Sequence, residues 1–151
     1  IKEVTFEKTV YNDIPFKYEA GTPNIEGAVA MAAAMDYVSG LGLHNIAAHE
    51  QKLTDMAVEG LKAMPRLTVL APDVPHSAVV SVLAEGIHHY DLGTLLDQMG
   101  IAVRTGHHCC QPLMCALGTT GTTRASFALY NTEEEVKTFL RSMNRALEML
   151  S

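Results

Sequence analysis

Positive charge is in short supply in this sequence. Lysine and arginine number 11 against 17 aspartates and glutamates, a formal net charge of −6. A chain of that sign has no sequence-independent grip on nucleic-acid phosphates, which excludes DNA and RNA as main partners. Long apolar runs are missing too. The longest uncharged apolar stretch, 27–35, is less than half of the ~20 residues that a bilayer crossing needs, and no charged-then-apolar leader opens the chain. No membrane partner is expected, and a cytoplasmic location is. Cysteine is scarce: Cys109, Cys110 and Cys115 are an odd number crowded into seven positions, a poor framework for structural disulfides, so reduced thiols are expected. Internal repeats, low-complexity tracts and linker-like runs of Pro, Gly or Ser are absent. The first residue is Ile1 rather than methionine and the strand-like IKEVTF follows at once, as in a piece cut from a longer polypeptide.

What is present is enough for a core. With 151 residues, 48% of them hydrophobic, the expectation is one compact unit. Segment 3–10 alternates and is rich in β-branched residues, which predicts a strand before the irregular YNDIPFKYEAGTP. Asn24 as cap, an early Glu26 and many small apolar residues predict a helix over 24–39 packed on several sides, closed by Gly40 and Gly42. A second helix over 43–64 carries an apolar stripe through Leu53, Ala57 and Leu61 and stops at Pro65. Strands are predicted at 67–71, 78–84, 101–105 and 122–130. Helices are predicted at 91–100, with Asp91 as cap, and in a short piece near 112–117. Thr132 and Glu135 form a capping box, and Val136, Phe139, Leu140, Met143, Leu147 and Leu150 give the last helix a 3.6-residue stripe. This order suggests an α+β arrangement, a small sheet covered by helices on one face.

Chemistry concentrates in RTGHHCC, 104–110. The segment leaves a strand through Gly106 and presents two imidazoles and two thiols in a loop, where reactive groups gather on rigid scaffolds. A thiol near Arg104 and histidines is one whose thiolate, the nucleophilic form, is favoured; the plain alternative is a buried, inert thiol. A Cys/His metal cluster with His88 and His89 is disfavoured, because neighbours in an extended chain point to opposite sides and no C-x-x-C or H-x-x-x-H spacing occurs. No metal ligand is assigned. A protease-like set of Cys109, a histidine and Asn131 has no support in the spacing. Arg124 on a predicted strand suits bidentate capture of a carboxylate, against the plain alternative of a surface ion pair. Gly21 and Thr22 precede a helix N-terminus, whose free N–H groups favour an anion such as phosphate, against an ordinary turn and cap.

Taken together, AGTPN, GIAVRTGHHC, PLM and RASFALYNTEEEV resemble, in order and spacing, the C-terminal region of SUF-type cysteine desulfurases of the class V aminotransferase fold. RTGHHC followed by RASFALYN is specific to that group and its selenocysteine-lyase-like relatives, and the likeness spans essentially the whole chain. The resemblance implies an α+β fold, the small C-terminal domain of pyridoxal-phosphate-dependent transferases. It divides the chain into 1–24, a remnant of the large domain with the cofactor-phosphate loop, and 25–151, a linking helix and the small domain. The implied activity removes sulfur from L-cysteine, leaving alanine and a persulfide, and serves iron–sulfur cluster assembly.

By motif, Cys109 matches the sulfur-accepting nucleophile, Arg124 the residue that holds the substrate carboxylate, and Arg104 a second arginine facing the site. Gly21 and Thr22 match the loop that reaches the pyridoxal phosphate of the neighbouring subunit, which implies a homodimer. A sulfur-acceptor protein of the SUF system is the implied partner. None of Lys2, Lys8, Lys17, Lys52, Lys62 or Lys137 lies in the context of the Schiff-base lysine, so the chain by itself is expected to be inert. Cys110 departs from the small uncharged residue of many relatives and adds a vicinal thiol. Two alternatives stand: a selenocysteine lyase, and a non-catalytic module that binds a partner or metal through its HHCC loop.

Overall fold

Where alternation suggests one strand over 3–10, the computed structural model, which describes Ile1–Leu150, has a hairpin. Strands β1 (Glu3–Val4) and β2 (Thr9–Val10) pair antiparallel with Glu3 opposite Val10. The cause is Thr5, whose hydroxyl oxygen accepts the N–H of Glu7 and of Lys8 while its own N–H donates to the Lys8 carbonyl. Side-chain bonding of this kind offers the backbone a turn in place of extension. A 3-10 turn over Phe16–Tyr18 follows. Helix α1 (Ile25–Leu41) then starts as predicted at Asn24, whose side-chain oxygen accepts from the N–H of Gly27 at 2.9 Å, and ends at Gly42 with φ of 85°.

The expectation of a single compact unit is not met. The chain divides after Gly42 into two units. Although α1 is rich in small and apolar residues, none of its residues is buried, and Val29, Met35 and Tyr37 are all exposed. The packing on several sides expected for α1 is therefore not seen in this unit. No helix among the described residues is long and apolar enough to cross a membrane.

The second unit holds the core and matches the predicted plan of a small sheet with helices on one face. Helix α2 (Leu43–Lys62) leads into β3 (Leu67–Val69) and β4 (Val79–Ala84). Helix α3 (His89–Gln98), β5 (Arg104–Gly106), α4 (Gln111–Ala116), β6 (Thr122–Ser126) and α5 (Glu133–Met149) follow. The sheet is antiparallel throughout, in the order β3-β4-β6-β5. Alternation along the strands turns Val69, Val80, Val82 and Ala125 to one face. They cluster there with Leu61 of α2, Leu92 and Leu96 of α3, and Phe139, Met143 and Leu147 of α5. The opposite face is partly open and carries Ser81, Leu83 and Arg124.

Of the element boundaries that differ from the sequence reading, those of α3, β6 and β5 stand out. Helix α3 is capped by the His88 side chain, which accepts from Tyr90 N–H at 3.3 Å, so Asp91 sits in its first turn instead of capping it. The last strand stops at Ser126 rather than running to 130, because the Asn131 side chain accepts the Ala128 N–H at 2.8 Å and closes a turn. Residues 101–103 lead into β5 without pairing.

Close approach of α3 to β5 depends on Gly93, where an added Cβ would land inside the van der Waals radius of Thr105 Cγ2. Alanine in a helix interior ordinarily gains about 0.5–1 kcal/mol over glycine. Here the neighbour is a stiff β-branched side chain, and overpacking costs about 1–3 kcal/mol. Gly93→Ala is thus expected to destabilise the unit by about 1 kcal/mol or more, seen as a lowered urea midpoint at unchanged slope; a raised midpoint would show that the α3–β5 spacing gives way freely.

Candidate functional site

The open face of the sheet is organised by the pairing of β5 with β6. Arg104 lies directly opposite Arg124, Thr105 opposite Thr123, and Gly106 opposite Thr122. Two like charges facing each other across an antiparallel pair are destabilising unless something neutralises them. Neither arginine has an ion-pair partner among the described residues, whose carboxylates pair instead with Lys52, Lys62, Lys137 and Arg141. Arg124 Nε is moreover buried with no hydrogen-bond partner. An arginine pair of this kind suits an anion, and the planar fork of each guanidinium matches a carboxylate.

Gly106 ends β5 with φ of 111°, a conformation that favours glycine. The chain then turns sharply. Cys110 N–H donates to the His107 carbonyl at 2.8 Å, and Cys109 N–H to His107 Nδ1 at 3.0 Å. The two residues in the middle, His108 and Cys109, both have left-handed backbones, with φ of 53° and 57°. For residues with a Cβ each such conformation costs on the order of 1–3 kcal/mol, and it persists only where the surroundings impose it. Here the surroundings are the edge of β6: His108 Nε2 is 2.8 Å from Thr122 Oγ1, and Thr122 is fully buried. On the far side, Met114 of α4 is buried and its carbonyl accepts from Thr119 N–H. The result is a short, doubly anchored turn with Cys109 exposed at its crest beside exposed Cys110.

Close packing extends behind the turn. A Cβ on buried Gly121 would lie 2.7 Å from the Gly106 carbonyl carbon and 2.5 Å from His89 Nε2. His89 stacks on His88 with ring centroids 4.2 Å apart. Burial, then the proximity of His88, lowers the pKa of His89 despite the opposing charge of Asp91. Burial, followed by the charges of Arg124 and Arg104, likewise lowers that of His108.

Of the residues singled out from sequence, the structure brings Arg104 and Arg124 together as cross-strand partners. It fixes the turn of Cys109 to Thr122, two residues before Arg124 on the same strand face. Gly21 and Thr22 lie in the N-terminal unit, in an exposed stretch just before α1, and a Cβ on Gly21 would meet nothing within 4 Å. Among the described residues no three His, Cys, Asp or Glu side chains form a metal-holding group. A cleft of about 330 Å³ lies around the far end of β6, lined by Ile101, Val103, Phe127 and Phe139, and contains none of Cys109, Arg104 or Arg124. Thr122 was not marked by the sequence reading, which took His108 only as one of the two imidazoles of the loop. Adjacent histidines diverge in an extended chain, but this chain is not extended at His108 and Cys109, and only the glycine before the doublet hints at such a turn.

Held neutral by burial, His89 and His108 tie stability to pH. A base whose folded pKa is depressed leaves the unfolded state with more bound protons between the folded value and about 6.5, so stability rises with pH across that window. The contribution is complete above about pH 6.5 and is lost as pH falls below it, separately from the exposed carboxylates of Glu133, Glu134 and Glu135, whose lowered values act at more acid pH. The urea midpoint is expected to drop between about pH 7.5 and 5.5, and less steeply in His108→Asn. A flat midpoint over that range would mean that these imidazoles protonate freely in the native state.

Comparison with known proteins agrees with this geometry. Residues 1–139 match the family described as aminotransferase class-V. A probable cysteine desulfurase of Vibrio cholerae is 42% identical over 150 residues, covering 99% of this chain and 37% of the relative. A cysteine desulfurase of Escherichia coli is 46% identical over 145 residues, 95% of this chain and 35% of the relative. Among solved structures, cysteine desulfurase CsdA from Escherichia coli, in an S-sulfonic acid form, superposes with a TM-score of 0.88 at 36% identity, over 99% of this chain and 37% of that one. The apo structure of a cysteine desulfurase from Thermococcus onnurineus gives 0.87 at 40% identity, over 99% of this chain and 38% of that one. The chain thus spans little more than a third of the length of these relatives. With the family matched over most of its residues and the α+β architecture shared, this chain belongs to the class-V aminotransferase family.

Proposed function

We propose that the chain is the C-terminal part of a pyridoxal-phosphate-dependent cysteine desulfurase of the SUF type. It converts L-cysteine to L-alanine and takes the sulfur as a persulfide on Cys109. The observation that carries the reading is the uncompensated Arg104–Arg124 pair beside an exposed cysteine held at the crest of a strained turn. The names of the relatives supply the class of reaction. Residues 1–24 are assigned to the large domain and the cofactor-phosphate loop, and 25–151 to the linking helix and small domain.

The fit to pyridoxal phosphate is partial within this chain. Gly21 and Thr22, ahead of the α1 N-terminus, would hold the phosphate of the cofactor in a neighbouring subunit of a homodimer, where backbone N–H groups and the helix end favour an anion. No lysine here is placed for a Schiff base: all six are exposed, and Lys52, Lys62 and Lys137 are paired with Glu133, Asp73 and Glu134. The chain alone is therefore inert, and the lysine belongs to the remainder of the enzyme. When bound, the cofactor supplies the electron sink that lets the carbon–sulfur bond of the substrate break.

The residues of this chain bind and accept. Arg124, with Arg104 beside it, holds the substrate carboxylate and fixes where the substrate sulfur lies. The Cys109 thiolate attacks that sulfur, so that one S–S bond forms as the C–S bond breaks. The substrate carbon takes a proton and leaves as alanine. The balance is L-cysteine plus Cys109 thiol giving L-alanine plus Cys109 persulfide. Sulfur then passes to an acceptor protein of the SUF system for iron–sulfur cluster assembly in the cytoplasm, a transfer that exposure of Cys109 permits.

Two measurements on the complete enzyme test the assignment. Cys109→Ser is expected to abolish the persulfide while leaving the cofactor spectrum intact, because a hydroxyl is a poor acceptor of sulfur, whereas Cys110→Ser has a mild effect; a persulfide located by mass spectrometry mainly on Cys110 would move the nucleophile by one position. Arg124→Ala is expected to lower kcat/KM for cysteine by about 1.5–3 kcal/mol, roughly one to two powers of ten, as for loss of a hydrogen bond to a charged group. An unchanged kcat/KM would return Arg124 to a structural role.

A further inference from the structure

Two buried polar atoms on the open face of the sheet lack partners and are chemically complementary: Arg124 Nε, which can only donate, and His108 Nδ1. They belong to neighbouring parts of the site. The His108 ring is fixed at its other nitrogen, 2.8 Å from Thr122 Oγ1, and Thr122 and Arg124 are alternate residues of β6, so their side chains leave the same face. An imidazole held this way has two tautomers. If Thr122 donates to Nε2, then Nδ1 carries the proton, and both unpartnered atoms are N–H donors that cannot pair with each other. If Nε2 donates to Thr122 Oγ1, then Nδ1 is an acceptor and Arg124 Nε the complementary donor, although the two are not bonded here.

We propose that His108 is a positioning residue for Arg124: with its proton on Nε2 and shared with Thr122, it accepts the Arg124 Nε–H at Nδ1 when substrate binds, closing a hydrogen bond that neither atom makes in this structure, and turns the guanidinium end-on toward the bound carboxylate. This inference rests on the carboxylate-binding role of Arg124 proposed above and adds how that role is set. With Nε occupied, the two terminal nitrogens form the fork that meets the substrate, and a side-on approach through Nε is excluded. Burial and the nearby charges of Arg124 and Arg104 keep the imidazole neutral, the state in which it can accept. The arrangement gives the strained backbone at His108 a task, since the left-handed conformation brings the ring back over β6 instead of letting it follow the chain outward.

The first test uses the 151-residue chain itself. Long-range nitrogen–proton spectra of its imidazoles at neutral pH are expected to show His108 as the Nε2–H tautomer. An Nδ1–H tautomer would overturn the proposal outright. The second test uses the complete pyridoxal-phosphate enzyme with Thr122→Val, which keeps shape and strand propensity but releases the ring. KM for cysteine is expected to rise about five- to tenfold with kcat changed less than about twofold, and Thr122→Ser, which keeps the hydroxyl, to recover most of the loss. Equal KM in Thr122→Val and wild type, or a fall in kcat alone, would overturn it. Absence of any cysteine turnover in the complete enzyme would instead overturn the desulfurase reading, and the tautomer measurement would then decide the His108–Arg124 pairing by itself.

Discussion

The contact on which the site depends is the approach of the end of β5 to the start of β6, where a side chain on Gly121 would collide with the backbone of Gly106. Two consequences come from that one contact. The register it sets puts Arg104 opposite Arg124, concentrating positive charge in a molecule whose net charge is negative. It also places the residues after Gly106 close enough to β6 for His108 to reach Thr122. Cross-strand repulsion between the arginines is a standing cost of this register, borne by a core in which Leu92, Leu96, Val80 and Met143 are fully buried. The core and the paired arginines are divided between the two faces of one small sheet.

That division explains how much could be read from sequence. Helix α5 was legible in full, since its capping box and its 3.6-residue stripe are local signals and both are realised. The α+β plan followed from the order of such elements. RTGHHC was read as a strand leading into a loop and Arg104 and Arg124 as strand residues, and that is how they lie. What could not be read was register. Nineteen residues separate the two arginines in the chain, and nothing in their spacing says that they face each other; that depends on the length of α4 and on a glycine contact visible only in three dimensions. Likewise β1 and β2 read as one strand because alternation persists across Thr5, and a single hydroxyl redirected the backbone.

The N-terminal unit makes the same point from the opposite side. Its helix α1 has a sound cap and a glycine stop, both legible, yet none of its residues is buried. Apolar side chains such as Val29, Met31 and Met35 exposed along one helix are not accounted for by the energetics of this chain, because burial of that kind of surface is what drives association. In the proposed enzyme that surface would be covered by the large domain or the partner subunit, so the helix was read correctly as an element while its environment lay beyond any local signal.

The turn that carries Cys109 has a consequence for how this protein responds to change. Two successive left-handed residues with side chains are a reserve of unfavourable backbone energy, and glycine or asparagine at His108 or Cys109 would release part of it. Selection for thermal tolerance alone would therefore find its easiest gains at the two positions to which the proposed chemistry is assigned. In this loop robustness and reactivity draw on the same few torsion angles, and a more stable variant of the molecule is to be expected as a less capable one.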